Sequence, residues 1–221
     1  MNTSTESVAW SDPSLEIGGV PLPKNRHVCG FFRGPDEQYR ILLPFIKDGI
    51  DRGEKAVHVV KRSGHVNHLE RLRSFGIDVD KALSSGQLEV LDWESTYLSG
   101  GRFEISKMPD VIRKLISKSR AEGYPRLRYV GNMEWSLEKS PGVEDVIEYE
   151  SRLHPILLEY PDPVICCYDV GQYPADSIVE ILRVHQVAVV CGHVSENPYF
   201  VTPDQYLQER LRVNVRCTTV S

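Results

Sequence analysis

The amino-acid sequence predicts a three-layer α/β fold, in which a mainly parallel sheet of about six strands lies between two layers of helices. Two patterns support this prediction. Short runs rich in Val, Ile and Cys lack a clean apolar–polar alternation, which is typical of strands buried on both faces. Segments with apolar residues three and four positions apart alternate with these runs. Such strand–helix alternation implies crossover connections between parallel strands.

Six segments are predicted strands because each is a short apolar run bounded by polar residues or glycine. They are residues 27–32, 56–60, 88–92, 127–131, 164–168 and 187–191. The first helix follows the first strand, and Gly53 ends it. Pro44 lies inside this helix, where it should kink the helix or shift its start. The apolar positions that define the helix are Tyr39, Leu42, Leu43, Ile46 and Ile50.

Four further helices are predicted from stripes of apolar residues, and glycine ends two of them. The first of these has Val66, Leu69, Leu72 and Phe75, and it ends at Gly76. The second has Met108, Val111, Ile112, Leu115, Ile116 and Ser119, and it ends at Gly123. The third has Val143, Val146, Ile147, Leu153 and Leu157. Pro174 opens the fourth, whose predicted inner face is Ala175, Ile178, Val179 and Leu182.

A chain of 221 residues is long enough for one large α/β domain. We predict this domain over residues 27–221. Residues 1–26 are polar and punctuated by Pro and Gly, which predicts a partly ordered N-terminal extension or, as an alternative near residues 17–20, a short hairpin.

Composition excludes several classes of partner. A net charge of −5 argues against a nucleic-acid surface, which concentrates Lys and Arg, so no direct nucleic-acid contact is expected. No apolar run approaches the roughly 20 residues that span a bilayer, and the first residues lack a secretory signal. The cysteines number five, an odd count without disulfide spacing, which favours a reducing compartment such as the cytoplasm.

The candidate ligand site lies at the carboxyl ends of the predicted strands, because open parallel sheets bind ligands there. Aromatic, acidic and basic side chains at these ends suit a small polar or amphipathic ligand. The predicted contacts are Phe32, Arg33, Asp92, Trp93, Asn132, Glu134, Trp135 and Tyr168.

The first strand–helix junction lacks the features of a phosphate-binding loop. It has one glycine and no lysine, and Asp36 and Glu37 occupy the helix N-terminus, where they would repel a phosphate and instead resemble helix caps. We therefore expect no ATP hydrolysis and no bound cofactor. No nucleophile elbow appears either, so enzyme activity has no positive support in the sequence.

His27 and Cys29 are two positions apart and should point to the same side of the first strand. A buried core pair is the favoured interpretation, and ligand contact is the alternative. A metal site is a further alternative, because Cys191 and His193 repeat the same spacing on a later strand. Cys166 and Cys167 should face opposite sides of their strand and be buried thiols.

Several segments together resemble the MEDS domain, the sensory domain named for methanogens, methylotrophs and the dichloromethane regulator. The resemblance runs from about residue 27 to residue 207. It is carried by HVCGFF at 27–32, PFI at 44–46, GIDRGEK at 49–55, GNMEW at 131–135 and CYD at 167–169. His185 and the later NPY at 197–199 resemble the C-terminal signature of the family.

The same chain is similar to the KaiC and RecA-like ATPases around residues 53–57, 75–78 and 86–88. The two resemblances imply a RecA-like core without a Walker A loop, and they add His185 to the predicted ligand contacts. They imply a non-enzymatic sensor of small molecules, proposed to be simple hydrocarbon derivatives, in prokaryotic signal transduction or transcription control. A kinase or regulator as signalling partner and a homo-oligomer are compatible with this hypothesis.

Two alternatives stay open from the sequence. One is an enzyme or nucleotide-binding protein that uses a RecA-like cleft without a phosphate-binding loop. The other is a thiol or metal redox sensor that uses His27 and Cys29.

Overall fold

The computed structural model describes residues 11–23 and 27–218. Within that part of the chain, seven strands form one sheet in the order β5-β4-β6-β7-β3-β8-β9. All neighbours pair in parallel except the last pair, β8 and β9, which is antiparallel. The strands are β3 (His27–Phe32), β4 (Lys55–Val60), β5 (Leu88–Asp92), β6 (Leu127–Asn132), β7 (Val164–Asp169), β8 (Val187–Val190) and β9 (His193–Glu196). The predicted three-layer α/β fold is confirmed.

Helices cover both faces of this sheet. The apolar residues of α1, α2 and α3 join one buried cluster, and those of α4, α5, α6 and α7 join another. A final helix, α8, packs against α6 and α7. The helices are α1 (Gly34–Asp51), α2 (His65–Ser74), α3 (Val79–Ser84), α4 (Trp93–Thr96), α5 (Met108–Ala121), α6 (Val146–Leu157), α7 (Ala175–Val184) and α8 (Pro203–Thr218).

The strand β3 shows how the sequence divides between the two clusters. Cys29 and Phe31 belong to the cluster beneath α4–α7, whereas Val28 and Phe32 belong to the cluster beneath α1–α3. Successive side chains of a strand point to opposite faces, and helices cover both, so every residue of β3 is buried. This burial explains the continuous apolar run in the sequence.

A two-stranded hairpin precedes the sheet, so the alternative of a hairpin near residues 17–20 is confirmed. Its strands are β1 (Ser11–Ile17) and β2 (Val20–Pro23), joined at Gly18 and Gly19, which both have positive φ. Leu15, Ile17 and Leu22 are fully buried in the cluster around α1. Residues 1–10 and 24–26 of the predicted N-terminal extension lie outside the described residues.

Three details of the predicted helices differ from the structure. Helix α1 continues through Pro44 rather than starting after it. Helix α2 buries His68 and Leu72, while Val66 is 70% exposed. Its buried face is therefore rotated from the predicted apolar stripe and includes a histidine. Helix α7 buries Ile181 and Val184 and leaves Val179 exposed, because its inner face is rotated about the helix axis relative to the predicted face.

The last predicted strand ends one residue early. Strand β8 stops at Val190, and Cys191 adopts a positive φ of 52° at the tight turn into β9. Glycine follows at 192, also with positive φ. The antiparallel strand β9 lies beyond this turn and was not predicted, because its residues are mostly exposed and polar.

None of the helices formed by residues 11–23 and 27–218 combines the length and apolar composition needed to cross a membrane.

Candidate functional site

The carboxyl ends of β3, β4, β6 and β7 meet at one edge of the sheet and border a cleft of about 430 Å³. This size falls within the roughly 300–1,000 Å³ of small-molecule sites. The lining combines amide, carboxyl, ammonium and aromatic groups. It includes Gln38, Tyr39, Lys61, Asn67, Trp93, Asn132, Glu134, Glu138, Asp169 and Gln172.

Two carboxyl groups in this cleft have pKa values shifted in opposite directions. Burial, followed by the nearby charge of Asp169, raises the pKa of half-buried Glu134. Burial alone would also raise the pKa of Asp169, but hydrogen bonds from Gln172 and from the N–H groups of Gly171 and Gly34 lower it. Burial therefore favours the protonated form of Glu134, whereas the hydrogen bonds favour the carboxylate form of Asp169.

Asn132 contributes a polar side chain and Trp93 an aromatic side chain to the lining of the cleft. The Asn132 side-chain oxygen Oδ1 accepts a hydrogen bond of 2.8 Å from the Gln38 side-chain Nε2, which joins the end of β6 to α1. The Lys61 ammonium lies 5.1 Å from the Trp93 ring centroid, within range of a cation–π contact, and it also pairs with Glu138 at 3.5 Å. The ammonium and the indole thus cover one side of the cleft together.

The junction between β3 and α1 leaves a single residue, Arg33, between strand and helix. The N–H groups at this helix end already have protein acceptors. The Glu37 carboxylate accepts from the Arg33 N–H at 2.7 Å, as expected for a cap, and Asp169 accepts from the Gly34 N–H at 3.2 Å. This end of α1 is therefore acidic and partly occupied, unlike a phosphate cradle.

The structure brings three of the sequence-predicted ligand contacts together at the cleft, namely Trp93, Asn132 and Glu134. Arg33 is 74% exposed and pairs with Glu37, and Phe32 is buried in the core under α1. Asp92 caps α4 by accepting from the Glu94 N–H at 3.2 Å, and it pairs with Arg62 at 2.9 Å. Asp92 therefore has a local structural role.

Trp135 lies away from the cleft although it is only one residue beyond Glu134. Its side chain is fully buried and stacks on the Tyr97 ring, with the centroids 4.4 Å apart. Phe103 packs against the same indole at 5.0 Å. The chain enters a 3₁₀ turn over Glu134–Leu137, and this turn points neighbouring side chains in different directions.

The remaining predicted contacts do not line the cleft and lie on the face of the sheet that α6 and α7 cover. They are His27, Cys29, Tyr168 and His185. His27 and Cys29 do face the same side of β3, as predicted, and both are buried. The Cys29 thiol lies 3.6 Å from the Val187 carbonyl oxygen. The Tyr168 hydroxyl is buried without a hydrogen-bond partner among the described residues, and its ring borders an apolar cavity of about 320 Å³.

A buried polar cluster forms around Glu150, a residue of α6 that the sequence analysis did not select. Its Oε2 atom lies 2.9 Å from His27 Nε2, 3.4 Å from His185 Nε2 and 3.6 Å from Cys166 Sγ. The His27 and His185 rings approach with centroids 4.2 Å apart. One potential ligand atom from each of these four residues lies within 4.8 Å of the others.

Burial dominates the electrostatics of this cluster. Burial and neighbouring His185 lower the pKa of His27 to about 4, although its hydrogen bond to Glu150 opposes the shift. Burial would raise the pKa of Glu150, but the adjacent His185 and His27 side chains lower it to about 2. Burial and the Glu150 charge raise the pKa of the Cys166 thiol.

The alternative metal site, in which Cys191 and His193 would join His27 and Cys29, is wrong. Both residues are exposed at the β8–β9 turn, whereas His27 and Cys29 are buried. Cys191 and His193 instead border a cavity of about 570 Å³ between α1 and the β1–β2 hairpin, away from the cleft. Cys166 and Cys167 are buried in opposite clusters, as predicted.

Sequence reasoning missed Glu150 and also a second buried histidine group. His58 Nδ1 lies 2.9 Å from His68 Nε2, and His68 Nδ1 lies 2.8 Å from the Tyr39 hydroxyl. In the sequence, these groups are marked only by polar residues at positions of a strand or helix that are predicted to be buried. Such a signal does not identify partners that are distant in sequence.

Comparisons with known proteins agree with this architecture. Residues 26–186 match the family described as MEthanogen/methylotroph, DcmR Sensory domain, abbreviated MEDS. The transcriptional repressor DcmR of Methylorubrum extorquens is 25% identical over 172 residues, which cover 77% of this chain and 62% of the repressor. The chain thus spans less than two thirds of that relative.

A solved structure of a KaiC-like protein from the hyperthermophilic archaeon Pyrococcus horikoshii has a similar fold. It superposes with a TM-score of 0.55 at 19% sequence identity, over 84% of this chain and 79% of that chain. The predicted KaiC-like fold is confirmed.

Proposed function

The chain belongs to the MEDS family of sensory domains, and on this premise we propose that its sensory site is the strand-end cleft that contains Asn132 and Glu134. The ligand is a small, non-nucleotide molecule that combines a polar group with an apolar part. A simple hydrocarbon derivative such as an alcohol, amine or short organic acid fits this description. One domain over residues 27–221 would carry this function.

The Glu134 carboxyl group carries the proposal. It is half-buried in a cleft of about 430 Å³, where its oxygens can accept hydrogen bonds from a ligand. Burial raises its pKa, which favours the protonated form that can also donate one. Asn132 supplies an amide beside it, and Trp93 supplies an apolar face. A few convergent polar groups next to an aromatic wall are typical of small-molecule sites.

Ligand binding would act on transcription through a regulatory partner. Support comes from the relative named as a transcriptional repressor. The net charge of −5 favours a protein partner over direct contact of this domain with DNA.

A screen by thermal unfolding tests the proposal, because a ligand that binds the folded state raises the midpoint. The library contains small alcohols, amines, organic acids and nucleotides. We expect a non-nucleotide hit whose shift is lost in Glu134→Gln and kept in Glu159→Gln, an exposed carboxylate after α6. A hit whose shift survives both Glu134→Gln and Asn132→Ala would place the ligand elsewhere and reject the cleft.

A second candidate function is an enzyme or nucleotide-binding protein that uses the same cleft. The opposed pKa shifts of Glu134 and Asp169 favour it, since acid–base pairs in active sites are separated in this way. The acidic start of α1 disfavours a phosphate-bearing ligand. Stabilisation by ATP, or ATP turnover that disappears in Glu134→Gln, would replace the sensory proposal with this one.

A further inference from the structure

The cluster around Glu150 presents ligand atoms at distances that a metal ion requires. Four of the six separations between the ligand atoms of His27, Glu150, Cys166 and His185 are 2.9, 3.4, 3.6 and 3.7 Å, and all six are within 4.8 Å. Bonds of about 2.0–2.3 Å to tetrahedral zinc place neighbouring ligand atoms roughly 3.2–3.8 Å apart. An ion could therefore be accommodated with small side-chain movements.

The hydrogen bonds of His185 also orient it as a ligand. Its Nδ1 lies 2.8 Å from the Ile181 carbonyl oxygen, an acceptor, so Nδ1 carries the proton. The other ring nitrogen, Nε2, lies 3.4 Å from the Glu150 Oε2 atom and is the one left to bind a metal ion. A backbone carbonyl that fixes the tautomer in this way is typical of metal-bound histidine.

Several atoms of the cluster lack the partners expected of a purely structural network. Within the described residues, His27 Nδ1, Glu150 Oε1 and His185 Nε2 are buried without a hydrogen bond. Buried polar groups are usually paired, and an unpaired group is costly. A cation among the four residues would satisfy His185 Nε2 and compensate the buried carboxylate.

We propose that His27, Glu150, Cys166 and His185 form a tetrahedral site for one divalent transition-metal ion, with Zn²⁺ as the preferred occupant. Two imidazoles, a thiolate and a carboxylate match the ligands of tetrahedral zinc. The site joins β3, β7, α6 and the two-residue link between α7 and β8, in which His185 lies. It is separate from the cleft that contains Glu134, so either proposal can fail alone.

Cobalt is the first probe, because tetrahedral thiolate-bound Co²⁺ absorbs strongly in the visible and near-ultraviolet regions. The whole chain is stripped with chelator under reducing conditions and titrated with Co²⁺, then with Zn²⁺. Because all four side chains are buried, a parallel sample is refolded with the metal present. We expect saturation at one equivalent, a thiolate charge-transfer band and full displacement of cobalt by zinc.

Cys166→Ala and Cys167→Ala form a matched pair, since both thiols are buried in β7 but on opposite faces of the sheet. We expect Cys166→Ala to lose the charge-transfer band and at least about 100-fold in zinc affinity. Cys167→Ala keeps both.

The proposal is overturned if the wild-type chain neither retains nor takes up zinc by either route. A cobalt spectrum without the thiolate band, or equal zinc affinity in both alanine variants, overturns it as well. If Cys166→Ala does not fold, metal titrations of Glu150→Gln and of the wild-type chain still test the proposal. Loss of cleft-ligand binding with intact metal uptake rejects only the proposed function.

Discussion

The Arg128 guanidinium Nε lies 2.5 Å from Glu54 Oε2, and both side chains are buried. The same guanidinium donates to the Asp48 carboxylate at 2.7 Å and to the Phe45 carbonyl oxygen at 2.5 Å. It also lies over the Phe45 ring, 4.5 Å from the centroid. Arg128 therefore ties β6 to α1 and to the residue before β4, and two predictions follow from it.

Replacing Glu54 with glutamine should destabilise the protein by ~3 kcal/mol, because it leaves the buried Arg128 charge with only a partly exposed partner. Urea denaturation of wild type and variant measures the free energy of unfolding. Asp51→Asn is the control, since Asp51 pairs with Lys47 at the surface and its loss should cost less than ~1 kcal/mol. Equal effects of the two changes would refute the structural role of Glu54.

Replacing Gly49 with alanine should cost ~1–3 kcal/mol by overpacking. A Cβ atom at this position would lie 2.7 Å from both Cδ and Nε of Arg128, whose hydrogen bonds prevent it from moving aside. Gly64→Ala is the control, because a Cβ there meets nothing within 4 Å. A neutral Gly49→Ala would mean that Arg128 is held less firmly than these contacts indicate.

The free energy of unfolding should fall in mild acid because His68 takes up a proton when the chain unfolds. Burial, and then the neighbouring His65, lower its pKa from 6.5 to about 4. Between these two values the unfolded chain binds a proton that the folded chain does not, so stability is present above pH 6.5 and is lost toward pH 4. The groups that face the ring, Tyr39 on α1 and His58 on β4, provide no negative charge.

The measurement compares the free energy of unfolding against pH for wild type and His68→Gln. The wild-type curve should lose up to ~3 kcal/mol more than the variant across this window. Parallel curves would show that His68 takes up its proton equally in both states.

Trp93, rather than Trp135, should report ligand binding by fluorescence. Trp93 borders the cleft beside Lys61, whereas Trp135 is enclosed by Tyr97 and Phe103. Titration of a hit from the thermal screen should change the emission of wild type and Trp135→Phe, but not that of Trp93→Phe. If the fluorescence change comes from Trp135 instead, the ligand binds on the opposite side of the 3₁₀ turn that contains Trp135.

Cysteine alkylation of the native protein should be selective for Cys191, in a Cys217→Ser background. Cys191 is exposed, whereas Cys29, Cys166 and Cys167 are buried, and burial raises the pKa of the Cys29 thiol so that little reactive thiolate forms. Mass spectrometry should find one label before denaturation and four afterwards. Rapid native labelling of Cys29 would contradict its assignment to the core and favour a thiol sensor.

The sequence alone determined the layers of this fold. Short apolar runs such as that of β3 are typical of strands covered on both faces, and the helical stripes between them indicate crossover connections. Strand and helix formation depend on residues close together in the sequence. The spacing of apolar residues along the chain therefore reveals them.

Tertiary structure alone decided which polar side chains meet. His27 contacts Glu150 across 123 positions of sequence, and His58 contacts His68 through the packing of α2 on β4. Trp93 and Trp135 follow strand ends in the same way and both are buried, but only Trp93 also borders the cleft. These contacts depend on the direction in which each side chain leaves its element and on which elements pack together, and neither quantity is encoded in the spacing of residue types.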